Sequence, residues 1–413
     1  MTGWAAKRGG DESAATAGGR GRASHARMLR VCFVSPLGYG LYHPESGLPF
    51  GGAEVQIFLT AGALAKDTGF HTSVLTTVGQ TPATEQIGAL TLVTRRGQGR
   101  LAGRNGPLAS FRGYWSSFHE MWALFQRINA DVYVHAGAGV EVGAYAIICR
   151  LLHRRFIFVV ASNADLTDRC GLVRGPLRRL YPLGVRLADE VVCRTEDQRE
   201  LLRRRFGRDG LLIRSGHPIP TGCDRPRQSM LWVGRIHPVK QPLVFLDLAA
   251  RCPEIPFTMV GMRDPLERTL WDAVRTRIAQ LTNVTFLPNL SLAEVEETFQ
   301  GALLLINTSQ YEGFPNTYIQ AAASGVPIVS LAVDPDRVLA QHRIGSCTSG
   351  DFEAMVETVR RFGQDERLRE DYARRARVYA MGNHSLEVAV ARWKDMLLAL
   401  AGQQTAEPLR EAA

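Results

Sequence analysis

Several features that would each define a protein class are scarce in this sequence. Its seven cysteines (Cys32, Cys149, Cys170, Cys193, Cys223, Cys252 and Cys347) never fall at a C-x-x-C or other metal or redox spacing, and their odd number fits no closed disulfide framework. A reduced, cytoplasmic compartment is the expectation. The longest apolar stretch, Val140 to Ser162, is broken by Arg150, His153, Arg154 and Arg155, whereas a membrane span needs about 20 predominantly apolar residues. Residues 1–27 are rich in Gly, Ala, Ser and Arg and have no apolar h-region, so they read as a disordered leader and not as a signal peptide. Repeats of solenoid period are also missing.

Lysine is absent from one long basic stretch. Between Arg169 and Arg208, eleven arginines face only five acids, which accounts for most of the net charge of +9. The stretch reads either as solvated helix faces or as a docking surface for an anionic partner, such as a membrane or a pyrophosphate-linked acceptor. Its aromatics, Tyr181 and Phe206, are too few and too separated to stack bases, so nucleic acid is not an expected partner.

What is present is the composition of a globular protein: 45% hydrophobic and 22% charged residues over a length that suits two α/β domains. Short β-rich apolar runs alternate with helical patterns, the signature of doubly wound parallel sheets. Strands are expected at Val31–Ser35, Thr72–Thr76, Leu90–Thr94, Val132–His135, Phe156–Val160, Val191–Cys193 and Leu211–Arg214. A second set follows at Met230–Val233, Phe257–Val260, Val284–Leu287, Leu303–Asn307 and Ile328–Leu331. Between the sets, GHPIPTGCDRPRQ breaks the periodicity, placing a linker at 216–228 between a domain at 28–215 and a domain at 229–384. A final helix is expected at 385–402, packing back toward the first domain, and a disordered tail at 403–413. Ligands of such folds bind in the crevice beyond the carboxyl ends of the strands.

The richest segment is Tyr311 to Ser330, YEGFPNTYIQAAASGVPIVS. Pro315 suits a first helical turn, Gly325 a C′ position, and Pro327 stops propagation, so a helix is expected from about Asn316 to Ser324. Its first-turn amides, near Asn316 and Thr317, are suited to holding a phosphate. In LWVGRIHPVK a strand ends at Gly234, with Arg235 and Lys240 beyond it, two cations able to neutralise a diphosphate. After the first strand, Gly51 and Gly52 with Glu54 form a G-G-x-E at a helix start, where missing Cβ atoms permit close approach of a ligand.

Together these segments resemble glycosyltransferase family 4. E-G-F-P-N followed by G-V-P-I-V is similar to the family's E-x7-E region, Gly234 to Lys240 to its G-R-x4-K element, and Gly51 to Glu54 to its G-G-x-E. The resemblance runs from Leu29 to about Leu400 and implies the GT-B architecture, two Rossmann-like domains facing a cleft. It also implies metal-independent transfer of a sugar, with retention, from a nucleotide sugar such as a UDP- or GDP-sugar. The acceptor it implies is a saccharide or a lipid-linked saccharide, in bacterial polysaccharide or envelope glycan synthesis at the inner face of a membrane. It makes Glu312, Arg235, Lys240 and His135 the catalytic candidates. Gly51, Gly52, Gly234, Gly313, Phe314, Pro315, Asn316, Thr317 and Gln320 become donor-binding candidates, with Asp165 and Asp168 on the acceptor side.

One position departs from the pattern, because Gln320 stands where the family has its second acid, the partner of the ribose hydroxyls. Restoring the acid by Gln320→Glu is therefore expected to tighten the donor. Asp334 and Asp336 form a D-x-D read as a turn and not as a metal site. Two other readings stay open: a sugar-nucleotide epimerase or phosphorylase of the same fold, and a binding protein without turnover.

Overall fold

The computed structural model describes residues 28–78, 82–97, 107–167, 176–222 and 225–405. The expected leader and tail lie outside them, apart from the last turn of the final helix, Leu386–Thr405.

The first sheet is built from β1 (Leu29–Val34), β2 (Phe70–Val78), β3 (Thr84–Ile87), β4 (Leu90–Arg96), β5 (Val132–Ala136), β6 (Arg155–Val159), β7 (Glu190–Cys193) and β8 (Leu211–Leu212). Their order is β3-β4-β2-β1-β5-β6-β7-β8. All pairs are parallel except the β3–β4 hairpin, whose strand β3 has no apolar run to announce it. The second sheet contains β9 (Ser229–Ile236), β10 (Phe257–Arg263), β11 (Val284–Pro288), β12 (Ala302–Asn307), β13 (Ile328–Ser330) and β14 (Gly345–Cys347). It runs β11-β10-β9-β12-β13-β14, parallel throughout.

Central strands covered on both faces need apolar side chains in both directions. In β1, Val31 and Phe33 enter one core layer while Cys32 and Val34 enter the other. In β9, Met230 and Trp232 face one layer and Leu231 the other. Each sheet reverses its winding beside its central strand, at β1–β5 and at β9–β12, and the loops after those strands open toward the space between the domains.

The chain crosses between domains twice at one place. His217 pairs with Ser385 in an isolated parallel bridge, receiving N–H from Leu386 at 2.9 Å and donating its own to His384 O at 2.8 Å. Gln56 grips the first crossing from both ends of its amide, at 3.1 and 3.0 Å from the Gly216 carbonyl and N–H. From Phe352 onward the chain forms three helices, Phe352–Gln364, Glu366–His384 and Leu386–Thr405, broken at Asp365 and Ser385. The last packs on the first domain, with Trp393 edge-on to Phe33 at 6.0 Å between ring centroids.

Candidate functional site

The loops after β9 and β12 are stitched to each other before any ligand is considered. The Thr308 hydroxyl donates to the Lys240 carbonyl at 2.7 Å and accepts from Trp232 Nε1 at 3.0 Å. Gln310 N–H reaches Val239 O at 2.9 Å. Lys240 ends a short turn, Pro238–Lys240, capped by the His237 ring. That turn carries its ammonium to the carboxylate of Glu312, which also accepts from Ser309 Oγ at 2.7 Å. Glu312 is thus fixed by a cation and a hydroxyl in a half-buried position.

Pro315 then caps the helix Asn316–Ala323, whose first turn opens toward the first domain. There the Asn316 amide donates to Gly52 O at 2.7 Å. Gly51 and Gly52 begin the helix Gly52–Leu64, and the Glu54 carboxylate is spent on its own cap, accepting Gly51 N–H at 3.0 Å. A cavity of about 410 Å³ lies between these two helix starts. Gly51, Gly52, Gly234, Arg235, Lys240, Gly313, Phe314, Pro315, Asn316, Thr317, Glu312 and Gln320 all line it. Arg235 is half-exposed, 3.9 Å from the Asp264 carboxylate.

Gly313 meets the first domain closely. A Cβ there would lie 2.8 Å from both Ala161 O and Gln198 Nε2, so any side chain at this position forces the loop or the facing wall to shift. Ala161 and Ser162, on the facing wall, carry no sequence signal for a site.

Two residues expected at the site have other work. His135 is buried with its Nδ1 3.0 Å from Val34 O and its ring edge-on to Tyr145. It belongs to the first domain's core, and its neighbour Ala136 reaches the cavity instead. Asp165 is buried and accepts the N–H groups of Ala161 and Ser162 at 2.8 and 3.1 Å. It holds the Ala161–Ser162 wall in shape, and burial pushes its carboxyl up to about 6 despite those hydrogen bonds. Asp336 accepts Glu196 and Asp197 N–H at 3.0 Å each, capping a first-domain helix from the second domain. Asp334 accepts Leu339 N–H at 2.9 Å. Asp168 lies outside the described residues.

Gln320 has a neighbour the sequence did not suggest. Its Nε2 donates to Glu296 Oε1 at 2.7 Å, and the same oxygen is 2.8 Å from His217 Nε2. Glu296 sits in the charged run AEVEETF, and only its place beside buried Val295 hints that it faces inward. A larger cavity of about 1110 Å³ adjoins at Phe50, Met262, Leu290 and Leu292, and Glu296 and His217 border it.

The arginine-rich stretch is largely engaged within the protein. Arg203 and Arg204 pair with Glu200, and Arg203 also with Asp209. Arg208 donates to the carbonyls of Val185, Arg186 and Ala188, closing the helix Leu180–Leu187. Arg178, Arg179 and Arg186 are exposed around half-exposed Leu183.

Residues 227–365 match the family described as Glycosyl transferases group 1. Arg235, Lys240, Glu312 and Gln320 all lie inside the matched segment, which covers most of the second domain. A D-inositol 3-phosphate glycosyltransferase of Mycobacterium leprae is 28% identical over 203 residues, covering 44% of this chain and 47% of that protein. The chain thus spans about half the length of the curated relatives it matches. Among solved structures, a sucrose-phosphate synthase from Thermosynechococcus elongatus superposes with a TM-score of 0.70 at 16% identity, covering 91% of this chain and 100% of that one. A structure described as trehalose-6-phosphate from E. coli bound with UDP-2-fluoro glucose gives a TM-score of 0.65 at 11% identity, covering 89% of this chain and 99% of that one. At such identities the likeness is one of fold. The two domains together form a GT-B fold. Among the described residues no helix is long and apolar enough to cross a membrane.

Proposed function

We propose that the protein is a glycosyltransferase that moves a sugar from a nucleotide sugar to a saccharide or lipid-linked saccharide hydroxyl, with retention. The supporting observation is the cavity between the domains, where Lys240, Arg235 and the first turn of the Asn316 helix gather positive potential beside a carboxylate, Glu312. In this reading the diphosphate lies against Lys240, Arg235 and the helix amides, Glu312 addresses the donor sugar, and Gln320 faces the ribose. The bond between the anomeric carbon and the diphosphate oxygen breaks with both electrons going to oxygen, and the cations and amides stabilise that charge. The acceptor hydroxyl attacks from the face just vacated and passes its proton to the departing phosphate oxygen. Positive charge comes from fixed protein groups, so activity without added metal belongs to the proposal.

Melting curves recorded with UDP-, GDP- and ADP-sugars test the donor, and chromatography of nucleotide release with candidate acceptors tests transfer. A selective rise in Tm with acceptor-dependent release is expected. Conversion of donor alone would favour an epimerase, and binding without release would favour a carrier protein. Docking on anionic membranes is part of the proposal, with Arg178, Arg179 and Arg186 as the exposed cations.

A further inference from the structure

Glu296, Gln320 and His217 come from three separate elements, the helix Leu292–Gln300, the helix Asn316–Ala323 and the linker, and meet on one carboxylate oxygen. An ionised carboxylate only accepts hydrogen bonds, so whichever end of the Gln320 amide faces it must be the nitrogen. The amide oxygen then points away from Glu296. Gln320 is 5% exposed, and the space it borders is the smaller cavity. The His217 ring has acceptors at both nitrogens, the Pro218 carbonyl at 2.9 Å and Glu296 at 2.8 Å, an arrangement that suits the imidazolium. A cation and an amide thus hold the carboxylate from two sides.

We propose that Glu296 is a positioning residue of the donor pocket, which by accepting Gln320 Nε2 turns Gln320 Oε1 into the cavity as a fixed acceptor for a ribose hydroxyl. The proposal rests on the nucleotide-sugar reading above. It reverses the expectation drawn from sequence for Gln320→Glu. That change sets a second carboxylate against Glu296, where the amide now stands at 2.7 Å. Like charges at that separation oppose each other, and the new side chain is driven out of register. The exchange Glu296→Gln with Gln320→Glu restores one donor and one acceptor, with the carboxylate now on the Asn316 helix.

Calorimetric titration with UDP, GDP and ADP, and with the 2′,3′-dideoxy form of whichever binds best, provides the test. Wild type is expected to prefer the natural nucleotide about tenfold, the scale of one well-formed hydrogen bond. Glu296→Gln and Gln320→Glu should each remove most of that preference, and the double exchange should recover it. Gln320→Ala, which leaves the Glu296–His217 pair intact, should also lose the preference and guards against a folding defect in the Glu296 variant. Equal weakening of natural and dideoxy nucleotides by Glu296→Gln would show a merely structural role and overturn the proposal. Additive single and double effects would overturn it as well. Failure of the underlying reading looks different: no nucleoside diphosphate binds wild type, or Lys240→Ala leaves binding unchanged, and both proposals then fall together.

Discussion

Asn316 donates its side-chain amide to the Gly52 carbonyl at 2.7 Å, joining the first turn of a helix in one domain to the first turn of a helix in the other. Two helix amino termini therefore converge on one cavity, and each brings unpaired amides and the positive end of a dipole. The contact bridges the mouth of the cleft, so the position of one domain is felt at the candidate phosphate site of the other.

Gly313→Ala tests how closely the domains must meet. The added Cβ presses on Ala161 O and Gln198 Nε2, each 2.8 Å away, so the domains separate or the loop shifts. A cost of about 1–3 kcal/mol is expected for such overpacking. Small-angle scattering should report a larger radius of gyration and activity should fall, while an unchanged profile with full activity would show the loop to be more tolerant than its packing implies.

Lys240→Ala is expected to lower turnover by about 10²-fold, since it removes a fixed cation from the proposed leaving-group site. It also strips a half-buried carboxylate of its ion pair, so Glu312 should become a weaker and less ordered contact. Glu312→Gln should depress turnover while sparing nucleoside diphosphate binding. Steady-state kinetics beside calorimetry separates the two effects, and intact turnover in both variants would remove the pair from the mechanism.

Asp336→Ala removes the carboxylate that caps a helix across the domain boundary, at 3.0 Å from two amides. A loss of about 1 kcal/mol is expected, the usual cost of deleting an N-cap side chain. Activity in EDTA should match activity without it, in wild type and variant alike. A strict need for Mn²⁺ or Mg²⁺ in wild type, with activity lost in Asp336→Ala even when the metal is added, would instead make the D-x-D a metal site.

His384 gives stability a dependence on pH. Burial lowers its pKa to about 4, although the Ser215 carbonyl, at 2.8 Å from Nδ1, works the other way. A histidine depressed in the folded state contributes stability above its unfolded pKa and loses it on acidification. Between about pH 6.5 and about pH 4 wild type should lose up to about 3 kcal/mol from this group. Urea midpoints across that range, compared with His384→Gln, measure the difference, and parallel curves would refute it. The ring also packs on Phe314, 4.5 Å between centroids, so acidification reaches the cavity wall.

The doubly wound sheets were legible because parallel strands covered on both faces read as continuous apolar runs, such as Val31 to Val34 and Leu303 to Ile306. Strand β3 was hidden because Thr84–Ile87 is an edge strand with exposed Thr84 and Gln86 and no apolar stripe. Arg235, Lys240 and the segment from Glu312 to Asn316 could be read because each follows a strand end, and strand ends point where ligands bind. Glu296 could not, since its meaning depends on Gln320 and His217, which are 24 and 79 residues away. At His135 a strand end places the residue near the cleft, while strand alternation turns its side chain toward Tyr145 and the Val34 carbonyl.

Trp393 and Leu397 fill the first domain's core, although they lie near the far end of the described chain. A ribosome that has released the whole first sheet has therefore not yet supplied the side chains that close it. Domains usually fold in the order in which they are synthesised. Here the earlier domain completes its interior only after the later one has emerged, so its last layer arrives by docking back across the second domain.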